Sequence, residues 1–218
     1  MRQPQYWIFM KKHAVLLCIG LSVLFLLIAS IYYPGGNILN KEAVGFDWSK
    51  NFFSNLFLER ALNGAVNPAR IWALIGMVFN SLGYGLFFFH TSQKIPHKHS
   101  AAILKYIGVI NMLFTFLIAT RLHDIMVTVA STLTMLGLFY ITVFILKTKL
   151  HWLKAFCIIS LLLFYTTLFL YGVGNWGLLA VMQKVSFLCF MLLILAIEYG
   201  TQPWHFKQSK VAPASALA

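Results

Sequence analysis

The sequence predicts an all-α polytopic membrane protein, a compact bundle of about six transmembrane helices with a short amphipathic interfacial helix in its first outer loop. Three observations carry this expectation. Hydrophobic residues fill 60% of the 218 positions and charged residues 10%, a balance that leaves a water-soluble domain of this size too little polar surface to cover its core. The apolar residues are gathered into six runs of about 20, the length that crosses a hydrocarbon layer of about 30 Å at about 1.5 Å per residue. The basic residues stand in short clusters between those runs, where they act as topology signals.

The first run, Ala14 to Tyr33, follows Lys11 and Lys12. Ile28-Ala29-Ser30 is faintly like a cleavage site, but the apolar stretch exceeds the roughly 7 to 15 residues of a signal-peptide core, so it reads as a span. Tyr33-Pro34-Gly35-Gly36 ends it in a turn. The outer segment from Pro34 to Arg70 is too long for a plain connection and should be folded or functional. Within it, Trp48, Phe52, Phe53, Leu56 and Phe57 share one helical arc while Lys50, Asn51, Ser54 and Asn55 share the other, as in a helix lying at a membrane surface. Asn67 can cap the second helix and Pro68 can occupy its first turn.

The second run is Ile71 to Phe89, the third Ala101 to Thr120 and the fourth Ile125 to Leu146. The fifth runs from Ala155 to Val173 and the sixth from Leu178 to Tyr199. Their connections are short, which makes consecutive helices antiparallel neighbours. Residues 1–208 form a single domain, and residues 209–218 carry no core pattern and read as a disordered tail.

Counting Lys and Arg on alternate sides gives eleven against six, counting Lys184 just inside the membrane with the poorer side. Cytoplasmic loops retain basic residues, so both termini are expected in the cytoplasm and the protein in the inner (cytoplasmic) membrane of a bacterium. The formal charge of +12 does not imply nucleic acid, because no basic domain gathers it. Cys18, Cys157 and Cys189 all fall inside apolar runs without paired spacing and read as buried thiols.

Asn51-Phe52-Phe53-Ser54-Asn55-Leu56 in the long outer loop, followed by Asn67-Pro68 at the opening of the second helix, resembles the layout of six-helix bacterial membrane families of unknown function, similar to the damage-regulated autophagy modulator group. The specific part of this resemblance runs from about Gly45 to Phe89. It implies a membrane-embedded accessory or lipid-related role and carries over no catalytic residue.

The residues themselves offer one polar turn, Arg121-Leu122-His123-Asp124. Arg121 and Asp124 each complement a helix macrodipole and Asp124 can cap a helix, while an Asp beside His123 could also tune an imidazole for general-base work. Lys184 lies about 9 Å into the sixth span by helical rise, where an ammonium needs a partner or must snorkel. Asp124 is its expected carboxylate. An enzyme acting on an envelope lipid would use His123 as base, Asp124 as orienter and Lys184 as anion stabiliser. Arg121, Asn51, Ser54, Asn55, Asn175 and Gln183 are the candidate ligand-binding residues of the same face.

Thr128 and Ser131 continue the Asp124 face of the fourth helix, Gly76, Asn80 and Gly83 share a face of the second, and Asn111 and Thr115 of the third. Such stripes serve helix packing in lipid or line a polar pocket that opens outward. Six of the seven histidines fall on the expected cytoplasmic side, leaving His123 outside with scattered acids, so no metal site is expected. Phosphate-binding glycine loops and nucleotide fingerprints are missing, and no cofactor is expected. The expected role is that of an accessory protein with an outward-facing polar site for a lipid head group, a small solute or a partner membrane protein. The enzyme is the alternative and a small-solute transporter comes third, because neither inverted repeats nor broken helices are evident.

Overall fold

The computed structural model describes residues 5–118, 120 and 122–207. Among the described residues seven helices follow one another: α1 (Gln5–Tyr32), α2 (Ala69–Lys94), α3 (Lys98–Leu117), α4 (His123–Leu146), α5 (His151–Gly172), α6 (Trp176–Gly200) and the short α7 (Pro203–Lys207). A single 3-10 turn, Phe53–Phe57, lies between α1 and α2. The first six helices are long and apolar enough to cross a membrane, and each contains one of the six runs read from the sequence, to within a few residues at its ends. The expected tail falls outside the described residues.

Each of the six long helices packs on its neighbour in sequence, α6 returns to α1 and α2 to close the bundle, and α7 packs on α2. α2 is the central member. It touches α1, α3, α6, α7 and the 3-10 turn, and half of its spanning window is buried against 22% for α3 and α5. Close approach of α1 to α2 depends on Gly76 and Gly83, where an added Cβ would sit 3.2 Å from the Ser22 carbonyl oxygen and 3.2 Å from the Cys18 Cβ. Small residues let helices meet without the hydrophobic drive that water would supply.

Two apolar clusters form the packed core. The larger joins all six long helices around Phe87, Leu104, Ile141, Leu153, Ile194 and Ile197. The smaller joins Leu26, Ala29 and Tyr33 to Ala73 of α2 and to Leu56 and Phe57 of the loop. The loop is thereby part of the core at one end of the bundle.

Its interior is knitted by asparagines. Asn51 is fully buried, accepts from the Asp47 N–H at 2.8 Å and donates to the Gly36 carbonyl at 2.7 Å. Asn55 accepts from the Phe52 N–H at 2.8 Å, and Asn67 donates to the Leu56 and Leu58 carbonyls at 3.1 and 2.8 Å. Asn67 also accepts from the Ala69 N–H at 3.2 Å, while Pro68, and not Asn67, occupies the N-cap position of α2. The helix expected at the membrane surface is thus a single 3-10 turn, Phe53–Phe57, whose Leu56 and Phe57 pack into the bundle while Trp48 of the expected apolar arc stays exposed, and Asn51 and Asn55 turn inward rather than to solvent. Irregular backbone carries polar groups that α-helix bonds cannot satisfy, and buried amide side chains supply the missing partners.

Candidate functional site

α6 enters the bundle beneath this loop. Asn175 caps it, accepting from the Leu178 N–H at 3.3 Å. A little over two turns beyond that cap, by about 3.6 residues per turn, adjacent residues reach up to the loop. Gln183 Oε1 accepts from the Phe53 N–H at 3.0 Å. Lys184 donates to the Asn51 carbonyl, and to the Ala180 carbonyl at 2.7 Å.

The Lys184 ammonium stands 5.7 Å from the Phe46 ring centre and 5.6 Å from that of Phe53, within cation–π range of both. Trp48 meets Phe46 and Phe53 edge-on, and Phe53 reaches Phe187 of α6 at 5.2 Å between ring centres. The charge therefore sits in an aromatic box built by its own chain. Asp47 is the described carboxylate whose charge reaches it. Ser49 donates to the Asp47 carboxyl from its hydroxyl at 2.6 Å and its N–H at 2.9 Å, which with Lys50 nearby holds that carboxyl below its ordinary range.

Below the box the helices do not close on one another. A cavity of about 670 Å³ runs between them, with Phe52, Phe53, Ser54 and Phe57 at its loop end. Trp176 and Phe190 both line it, so it extends about 20 Å along α6 by helical rise. Most of its wall is aromatic and aliphatic, interrupted by hydroxyls such as Thr115, Ser131, Thr134, Thr167 and Ser186 and by the amides of Asn80 and Gln183. Among the described residues that line it, none is charged.

Asn80 lies about 16 Å along α2 from Ala69 by helical rise and is 5% exposed. Its Oδ1 is buried without a hydrogen-bond partner among the described residues. An unpaired amide in apolar surroundings costs about 1 to 3 kcal/mol on mutational scales. Asn111 of α3 is better served, donating to Thr134 Oγ1 of α4 at 2.9 Å, although its Oδ1 is also unpartnered.

A second polar cluster occupies the opposite end of the bundle. Glu198 of α6, whose side chain is 8% exposed, lies 2.6 Å from His90 Nδ1 and 3.5 Å from Lys94 Nζ, both on α2. Lys94 also donates to the Glu198 carbonyl at 2.7 Å, near the last carbonyls of α6, where a cation complements the helix dipole. This cluster was not singled out from the sequence. Its signal was present: Glu198 is an acid within an apolar run, and such a residue needs a partner.

Of the candidate residues, Lys184, Asn51, Ser54, Asn55 and Gln183 come together at the loop end, Ser54 and Gln183 on the cavity wall and the other three in the fabric above it. Asn175 serves α6 as a cap. Arg121 and the side chains of His123 and Asp124 lie outside what the structure describes. The polar stripes divide: Gly76 and Gly83 pack on α1, while Asn80, Thr115, Thr128 and Ser131 line the cavity. Among the described residues, no group of three or more His, Cys, Asp or Glu comes together as a metal site would require.

The fold and this site define an integral membrane protein, a bundle of six spanning helices closed at one end by a packed loop. No family model, curated protein or solved structure matches the chain.

Proposed function

We propose that this is a non-enzymatic accessory protein of a bacterial inner membrane, with both termini cytoplasmic, that holds the apolar chain of a membrane lipid in the cavity beneath its outer loop. The observation that carries this is the cavity of about 670 Å³ with no charged residue among its described lining. Sites for drug-sized ligands fall in the range of about 300 to 1,000 Å³, with apolar walls and a few placed polar groups. A depth of about 20 Å suits an extended alkyl chain of about 16 carbons, whose zigzag of bonds of about 1.5 Å advances about 1.25 Å per carbon. Uncharged walls favour such a chain over a charged head group or an ionic solute, because a buried unpaired charge is strongly disfavoured. Lys184 is engaged by carbonyls and rings, which favours a binding role over one in which it stabilises a reacting anion.

Photocrosslinking tests this. A phospholipid bearing a diazirine at the end of one acyl chain, added to the protein in lipid nanodiscs, should label Tyr84 and Phe190 on the cavity wall. Labelling confined to exposed residues such as Leu162 and Leu188, with none at Tyr84 or Phe190, would refute the proposal.

A further inference from the structure

Resting on the reading of the cavity as a lipid-chain site, we infer that its ligand carries an uncharged hydroxyl that hydrogen-bonds Asn80 deep in the bundle. Asn80 shares its face of α2 with Met77 and Tyr84, which line the cavity beside it. Gly76 and Gly83 give their faces to α1, so the stripe is not uniformly a packing seam. Asn80 is 5% exposed, lines the cavity, and has its amide oxygen buried without a partner among the described residues.

A leucine there would pack against a plain hydrocarbon chain without that penalty, so an amide is informative about what the cavity receives. A hydroxyl both donates and accepts, and it therefore serves whichever end of the amide turns toward the cavity. A charged group does not fit, because the described lining holds no opposite charge to pair with it. The ligand class is a neutral lipid alcohol, or a lipid whose chain bears a hydroxyl, with Asn80 as the residue that tells it from an unsubstituted chain. A site built to hydrogen-bond a hydroxyl discriminates against the analogue that lacks it.

The test compares two probes of equal length carrying the same diazirine, a long-chain alcohol and the corresponding alkane, titrated against the intact protein and against Asn80→Leu. In the intact protein the alcohol should label the cavity wall at a concentration lower than the alkane by about fivefold or more, the worth of one hydrogen bond. Asn80→Leu should bring the two probes to parity while the alkane still labels. Equal labelling of the intact protein by both probes would overturn the inference, whether or not the variant folds, and would leave the lipid-chain site standing. Failure of both probes to label the wall would overturn the inference together with the reading beneath it. A preference for alcohol that survives in Asn80→Leu would overturn the role of Asn80.

Discussion

Lys184 donates to the backbone carbonyl of Asn51, 133 residues earlier in the chain, and Asn51 in turn spends its own side chain on the turns before it. The lysine that would be a liability in a spanning helix is thereby the attachment point of the loop. Lys184→Met removes the charge-assisted bonds and the cation–π contacts while keeping the apolar stem. We expect a loss of about 2 kcal/mol in detergent and new protease cuts between Pro34 and Arg70. Unchanged stability and cleavage would show that the ammonium does not fasten the loop.

Asn51 is the hub of that loop, bonded to Asp47, Gly36 and Asn55. Asn51→Leu keeps the volume and loses all three bonds, leaving buried backbone groups unpaired. The expected cost is about 3 kcal/mol, measured as a fall in thermal midpoint, with Asn63→Ala at an exposed turn as the near-neutral control.

At the opposite end, Glu198→Gln leaves Lys94 without its carboxylate and weakens the bond to His90. Removing one partner of a buried ionic cluster costs about 3 kcal/mol. The double variant Glu198→Gln with Lys94→Met should be less damaged than the two effects summed, since the lone charge is then gone. Additive losses would mean that the two residues do not interact.

The proposed orientation, argued from the distribution of basic residues, is read by labelling. Cysteines placed at Asn63 and Asn175 should react with an impermeant thiol reagent in intact cells, and one at Ser100 should not. The converse pattern would invert the bundle and turn the cavity toward the cytoplasm.

The six helices were legible because an apolar run of about 20 residues has few other uses. Asn80, Thr115, Thr128 and Ser131 belong to polar stripes that read first as helix packing and second as the lining of a pocket, and here they line one. Their convergence on one cavity depends on helix rotation, which periodicity within a single helix cannot set. Asn51 and Asn55 were placed on a solvated arc because an amphipathic pattern assumes that amides face water. In a folded loop, backbone demand outweighs that preference. The tie of Glu198 to His90 crosses 108 residues, and nothing in the local sequence of either names the other.

The central claim, a lipid chain inside the bundle, is tested most directly by what the protein retains on purification. Protein extracted in mild detergent and exchanged extensively should carry a lipid in near-stoichiometric amount by native mass spectrometry. Ser131→Phe, which projects a ring from α4 into the cavity, should lose it, whereas Leu162→Phe on an exposed face should not. Equal lipid content in the intact protein and in Ser131→Phe would contradict the claim, as would an intact protein that retains none.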